Sequence, residues 1–239
     1  MKQVVSLLLL ASLNASVASA QAAADIIDQH LQALGGKEKL RTMQSVFMEG
    51  TSVMQSGAEI SQRIWKVEGK LMRQEVESAM FNMSTVVTDK EGWRKNPRTG
   101  QFEAMPAEAV ALMQSELECA GPLLDFAQKG HTATLQGKED VEGVTCWKLK
   151  LTLKSGRDII YYIDAGNHLI VRTSTQGGWG SQRGGNREAV TDFADYRKNE
   201  DGFLFPYKVT IVGMGGGLYY ESIRVNRPVD AKIFQPIDL

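Results

Sequence analysis

The side chains able to move protons, ligate metal or attack a carbonyl are few in this chain and widely spaced. Three histidines, His30, His131 and His168, fall in separate segments, and none has the HExxH spacing that sets two imidazoles on one helical face. Cys119 and Cys146 are too few for a structural zinc site. In an oxidising compartment they can pair as a disulfide, or stay as two small buried thiols. Asp192 and Asp195 are three apart on a predicted strand, hence on opposite faces, whereas paired carboxylates must converge to do acid–base work. Neither a G-x-S-x-G elbow nor a C-x-x-C occurs. Two glycine-rich stretches, Gly177-Gly178-Trp179-Gly180-Ser181 and 213–217, lie between predicted strands and so lack the helix N-terminus that binds phosphate. The second reads as a hairpin turn. The first, extended to 185 with Trp179 and Arg183, reads as a plain loop or a flap over a cavity mouth. These patterns predict no enzyme, no metal site and no cofactor.

The elements around these residues are mostly strands. Ala23, Ile26, Ile27, His30, Leu31 and Leu34 share one face of a 3.6-residue period, so the chain should open on an amphipathic helix closed by Gly35-Gly36. A short turn over Lys37 to Met43 leads to runs at Val46 to Val53, Glu59 to Val67, Leu71 to Glu77 and Phe81 to Thr88, spaced as an antiparallel meander. Trp93 and Phe102 flank an Asn96–Gly100 turn. A helical interruption follows, with Pro106 at its first turn and a stripe of Ala109, Leu112, Met113, Leu117 and Ala120. Gly121-Pro122 breaks it, and Leu123 to Lys129 is expected as a further short helix. Thr145 to Leu153 alternates, placing Trp147, Leu149 and Leu151 inward and Lys148 and Lys150 toward water. Strands are also expected at Arg157 to Asp164, Leu169 to Thr175, Glu188 to Arg197, Tyr207 to Val212 and Leu218 to Val225, with Val229 to Leu239 as an edge segment. With no linker and no repeat, one domain over 21–239 is expected.

Lys2, an apolar run from Val4 to Leu13 and Ala18-Ser19-Ala20 have the pattern of a secretory signal peptide, residues 1–20, cleaved before Gln21. The run is too short to span about 30 Å of hydrocarbon, so no transmembrane segment is expected in the mature chain. A periplasmic protein follows. A net charge of −1 offers no electrostatic footprint for nucleic acid.

The strongest remaining signal is bulk. Ten Met and four Trp are spread over the predicted strands and helix. Flexible, polarizable Met suits ordinary core packing and also surfaces that adapt to varied apolar ligands.

Three stretches carry a family resemblance. Leu31-Gln32-Ala33-Leu34-Gly35-Gly36-Lys37-Glu38-Lys39-Leu40 leads into Val46 and Gly50. Tyr161-Tyr162-Ile163-Asp164 turns into Leu169-Ile170-Val171-Arg172. Asp195-Tyr196-Arg197 precedes Gly202-Phe203-Leu204-Phe205-Pro206-Tyr207-Lys208. In these the chain resembles the periplasmic lipoprotein carriers LolA and LolB and their relatives, the outer-membrane lipoprotein-sorting proteins. The resemblance implies an α+β, mainly β fold: a half-closed antiparallel β-barrel with a helical lid over 106–129 and an apolar interior for acyl chains.

The expected function is thus a non-enzymatic periplasmic carrier or binding protein for a lipid or lipoprotein acyl chain. Burial contributes about 0.8 kcal/mol per CH₂, so ten methylenes would hold without a polar anchor. The residues expected to contact ligand are Trp65, Met72, Phe81, Leu112, Met113, Leu117, Trp147, Leu149, Leu151 and Tyr219. The alternative is an envelope sensor or scaffold that binds a protein partner with the same fold. A monomer is expected.

Overall fold

The structure is a computed structural model that describes residues 19–53, 57–176, 188–213 and 216–238. The apolar run of the expected signal peptide and the expected 177–185 flap lie outside the described residues.

Strands dominate. They are β1 (Ser45–Val53), β2 (Glu59–Val67), β3 (Leu71–Ser78), β4 (Asn82–Thr88), β5 (Gly92–Lys95), β6 (Phe102–Ala104), β7 (Thr132–Val141), β8 (Val144–Thr152), β9 (Asp158–Asp164), β10 (Ile170–Gln176), β11 (Glu188–Lys198), β12 (Leu204–Ile211) and β13 (Leu218–Val225). They form one 13-stranded antiparallel sheet in the order β6-β5-β4-β3-β2-β1-β13-β12-β11-β10-β9-β8-β7. The sheet is open, with β6 and β7 at its edges. Helices are few: α1 over residues 19–33, α2 (Lys37–Leu40) and α3 (Ala107–Leu112), followed by a 3-10 turn at Gln114–Leu117. None of the described helices is long and apolar enough to cross a membrane. By contact density the chain divides into two compact units, one holding Asp125–Val190 with the chain up to Ala33, the other Leu34–Leu124 with Thr191 onward.

In the first unit, α1 buries Ala23, Ile26, Ile27, His30 and Leu31, the face its periodicity specified. Ser19 Oγ donates to the Leu135 carbonyl at 3.1 Å, and His30 Nδ1–H donates to the His168 carbonyl at 2.8 Å. On β8, Leu149 and Leu151 are fully buried opposite Tyr161 and Ile159 of β9. Lys148 and Lys150 point the other way and pair with Glu139 at 2.8 Å and Asp158 at 2.7 Å. Cys146 shares the lysine face yet is buried, because Val141 and Tyr162 close over it. It and Cys119 are free thiols in different units.

In the second unit, β3 is covered on both faces. Leu71 and Arg73 alternate with Met72, and all three are buried. Over the Met72 face lies the helical insert; over the Leu71 face lies the C-terminal segment, a 3-10 turn at Ala231–Phe234.

The expected strand positions hold to within a few residues, and three elements differ. β7 was not anticipated: its Thr, Gly and charged residues hide the period, and a bulge between Leu135 and Gly137 breaks it. Leu123 to Lys129 is a series of turns, Asp125 standing at φ 53, where a helix was expected. The tail forms no strand among the described residues; Ile233 and Phe234 pack on a sheet face instead of an edge.

Candidate functional site

The two faces of the second unit's sheet differ in chemistry, and register assigns each residue to its face. Directly paired residues share a face, so Met72, Lys66 and Val46 lie together, as do Gln74, Ile64, Met48 and Ile223. Val76 follows with Gln62, Gly50 and Tyr220, and Ser78 with Ile60, Ser52 and Leu218. On β1, β2, β3 and β13 this insert face carries a single charged side chain, Lys66. The opposite face of the same strands carries Glu49, Arg63, Arg73, Glu75, Glu77 and Arg224.

The insert covers only one end of its face. Val110, Met113 and Leu117 bury against Met72 and Val87, with half-buried Met105 beside them. Three backbone-anchored bonds tie it to the turns below: the Gly69 amide donates to the Leu117 carbonyl at 3.1 Å, the Cys119 amide to Glu68 Oε2 at 2.7 Å, and Gln114 Nε2 to the Thr88 carbonyl at 3.1 Å. Lys66 Nζ stands 3.7 Å from Glu116, so the face's one cation is partnered by the insert. Gly92 permits the close approach, since a Cβ there would lie 2.9 Å from Val110 Cγ2. Burial, then Glu68, raise the Cys119 thiol to about 12, which leaves it neutral beneath the insert.

Beyond the insert the face of those four strands stays uncharged and only half-buried, its apolar Met48, Ile60, Ile64, Val76, Leu218 and Tyr220 interspersed with Gln62, Gln74, Ser52 and Ser78. Burial pushes the Tyr220 phenol up to about 12, so it is neutral at physiological pH. At Gly50, opposite Tyr220, an added Cβ would strike the Tyr219 carbonyl at 2.4 Å. The glycine lets β13 bulge toward β1 there. Among the described residues no group of three or more His, Cys, Asp or Glu side chains could hold a metal ion.

No family model and no curated protein matches this chain. Solved structures do. A DUF1329 family protein from Desulfovibrio piger superposes with TM-score 0.55 at 13% identity, over 91% of this chain and 97% of that one. A LolA superfamily protein from Nitrosomonas europaea gives TM-score 0.54 at 14% identity, over 91% and 97%. A domain assigned to outer membrane lipoprotein sorting, from Vibrio parahaemolyticus, gives 0.51 at 12%, over 90% and 97%. The fold is LolA-like. At these identities the likeness establishes architecture and no more.

Within the LolA-like sheet the ten residues expected to contact ligand separate. Met72, Met113 and Leu117 come together beneath the insert. Leu112 is 47% exposed, because α3 ends there and the 3-10 turn rotates the stripe onto Val110, Met113 and Leu117. Trp65 and exposed Tyr219 are on the opposite face, the Trp65 ring tilted against Phe47 with centroids 5.1 Å apart. Phe81 occupies the turn before β4, its carbonyl accepting from Ser78. Leu149 and Leu151 belong to the first unit's core, and Trp147 is half-buried beneath Lys138 Nζ, 4.1 Å from its ring. The half-buried residues of the insert face are not among those ten, Met72, Met113 and Leu117 being buried. The alternation of β2 sets Ile60 and Ile64 on that face and Arg63 and Trp65 on the other.

Proposed function

We propose that this protein is a non-enzymatic periplasmic carrier or binding protein for an apolar ligand, a lipid or lipoprotein acyl chain. The ligand lies along the insert face of the second unit, and the chain works as a single-domain monomer after loss of its signal peptide. Cleavage after Ala20 leaves intact the buried face of α1 from Ala23 to Leu31. The observation that carries the reading is the run of half-buried apolar side chains that continues past the insert, on a face whose one charge is already paired. A side chain held half-exposed still gains from burial, at about 25 cal/mol per Å² of apolar surface covered. A neutral Tyr220 adds no ionic cost beside methylenes. The sorting assignment of the Vibrio structure agrees with this reading at the level of the fold.

Displacement of a fluorescent fatty acid tests it, together with native mass spectrometry of protein taken from the periplasm for co-purified lipid. Ile64→Asp and Val76→Asp should each weaken fatty-acid binding at least tenfold, whereas Glu77→Gln on the other face should leave it unchanged. Equal affinity in all three variants would overturn the assignment of the site. Absence of any lipid, with capture of an envelope protein instead, would favour the sensor or scaffold reading.

A further inference from the structure

The row of side chains just past the insert changes character from one end to the other. Gly92, Val87 and Met72 pair side by side beneath the insert. One step along the same face, Arg94, Thr85, Gln74, Ile64, Met48 and Ile223 pair in turn across β5, β4, β3, β2, β1 and β13. Inter-strand spacings of about 4.8 Å give this row a length of about 24 Å. A guanidinium, a hydroxyl and an amide occupy its β5 half; the other half is apolar. Thr85 and Ile223 are buried, and Arg94, Gln74, Ile64 and Met48 are half-buried. Lys66 is the one charge that β1, β2, β3 and β13 set on this face, and the insert's Glu116 stands 3.7 Å from it. At the margin, on β5, the face adds Arg94. The row beyond, from Met83 through Val76, Gln62 and Gly50 to Tyr220, carries no charge.

We infer that Arg94 holds the anionic head, carboxylate or phosphate, of a single-chain amphiphile whose tail runs along Ile64 and Met48. The inference rests on the proposed ligand site and names the class of its ligand. A planar guanidinium meets either oxyanion through two parallel N–H donors, and Thr85 and Gln74 bring a hydroxyl and an amide beside it. A tail laid over the row takes water from the inner side of Arg94. A neutral head would leave that lost hydration uncompensated, whereas an anionic head replaces it with a countercharge. Glu103 follows Arg94 on edge strand β6, but it is exposed and its Oε1 accepts from Asn96 Nδ2 at 2.7 Å, so it stays at the rim when the row is covered. The gradient along the row also sets a direction, with the head at the β5 margin and the tail's end toward Ile223.

Displacement of a neutral fluorescent probe by laurate, dodecyl phosphate and dodecanol tests this on the mature protein. At least one anion should bind about tenfold tighter than dodecanol, the gain of a charge-assisted pair, and the anion that gains identifies the head as carboxylate or phosphate. Arg94→Gln should bring that ratio close to one, and Arg94→Lys, which keeps the charge, should keep most of it. Because the readout is a ratio, a general loss of binding or stability cancels. Equal displacement by both anions and dodecanol in the wild type, or an unchanged ratio in Arg94→Gln, would overturn the head assignment and leave the ligand site standing. Displacement by none of the three would overturn the ligand site and the head assignment with it.

Discussion

The helical insert and the C-terminal segment cover opposite faces of the same strands, by different physics. Over the Met72 face, Val110, Met113 and Leu117 make apolar contact, and the polar bonds sit at the margins, on Glu68, Gly69 and Thr88. Over the Leu71 face, fully buried Arg73 holds the C-terminal segment from the centre. Its guanidinium donates through Nε at 2.9 Å and Nη2 at 2.7 Å to Glu75 Oε1, and on to the carbonyls of Gln235 at 2.9 Å and Ile237 at 2.5 Å. Arg63 completes the array, 2.9 Å from Glu75 and 2.8 Å from Glu77. Around it Ile233 and Phe234 pack with Trp65, Trp93, Phe102, Leu71 and Val86. A desolvated ionic array tolerates no displacement, because each lost partner strands a buried charge. An apolar cover with marginal bonds leaves the rest of its face free to exchange one apolar neighbour for another. The difference teaches that the charged face is fixed by its buried ions, and that the insert face, held by apolar contact, suits the ligand site proposed for it.

The largest effect should come from removing the central cation. Arg73→Met leaves buried Glu75 with Arg63 alone and frees the carbonyls of Ile233, Gln235 and Ile237, and the expected loss is about 3–5 kcal/mol in urea denaturation, the range for breaking a buried pair. A loss below about 1 kcal/mol would break the contrast, since the C-terminal segment would then be held by its apolar contacts alone.

Next comes the insert. Leu117→Asp sets an unpaired carboxylate among Met72, Val87 and Met113 and should cost several kcal/mol in the melt. Leu112→Asp, one turn away on the exposed side, should stay within about 0.5 kcal/mol. Equal, small effects would mean that the insert lifts readily as a lid. Unequal ones would fix its end of the face as core and confine ligand to the half-buried stretch.

The smallest effect sharpens the comparison with a third cover, α1 in the first unit. Burial lowers the pKa of His30 below its ordinary value, against the raising effect of its bond to the His168 carbonyl. The folded state therefore takes up the proton less readily than the unfolded chain. His30's contribution is complete above the usual imidazole range of about 6.5 and is lost as pH falls below it. Melting temperature should decline there for wild type and more shallowly for His30→Asn, whose amide can still donate to the carbonyl. Loss at Asp158, held below the usual carboxylate range by Lys150 and Thr152, belongs to a lower window. Identical slopes in the two proteins would remove His30 from the account.

Alternation and turn chemistry were enough to place most strands, because a residue's face depends only on its parity along the strand. The α1 stripe and the inward Leu149 and Leu151 were legible for the same reason. What sequence could not show was which of two apolar parities faces the insert. Trp65 and Met72 both read as ligand contacts, yet register sets them on opposite faces, since Trp65 pairs with Arg73 and Met72 with Lys66. Nor could it show that Arg73 is buried, because besides Glu75 its partners are carbonyls some 160 residues away. Local pattern determines which residues share a face. Only tertiary packing decides what covers that face, because the covering segment is brought there by chain closure and leaves no period of its own in the strand.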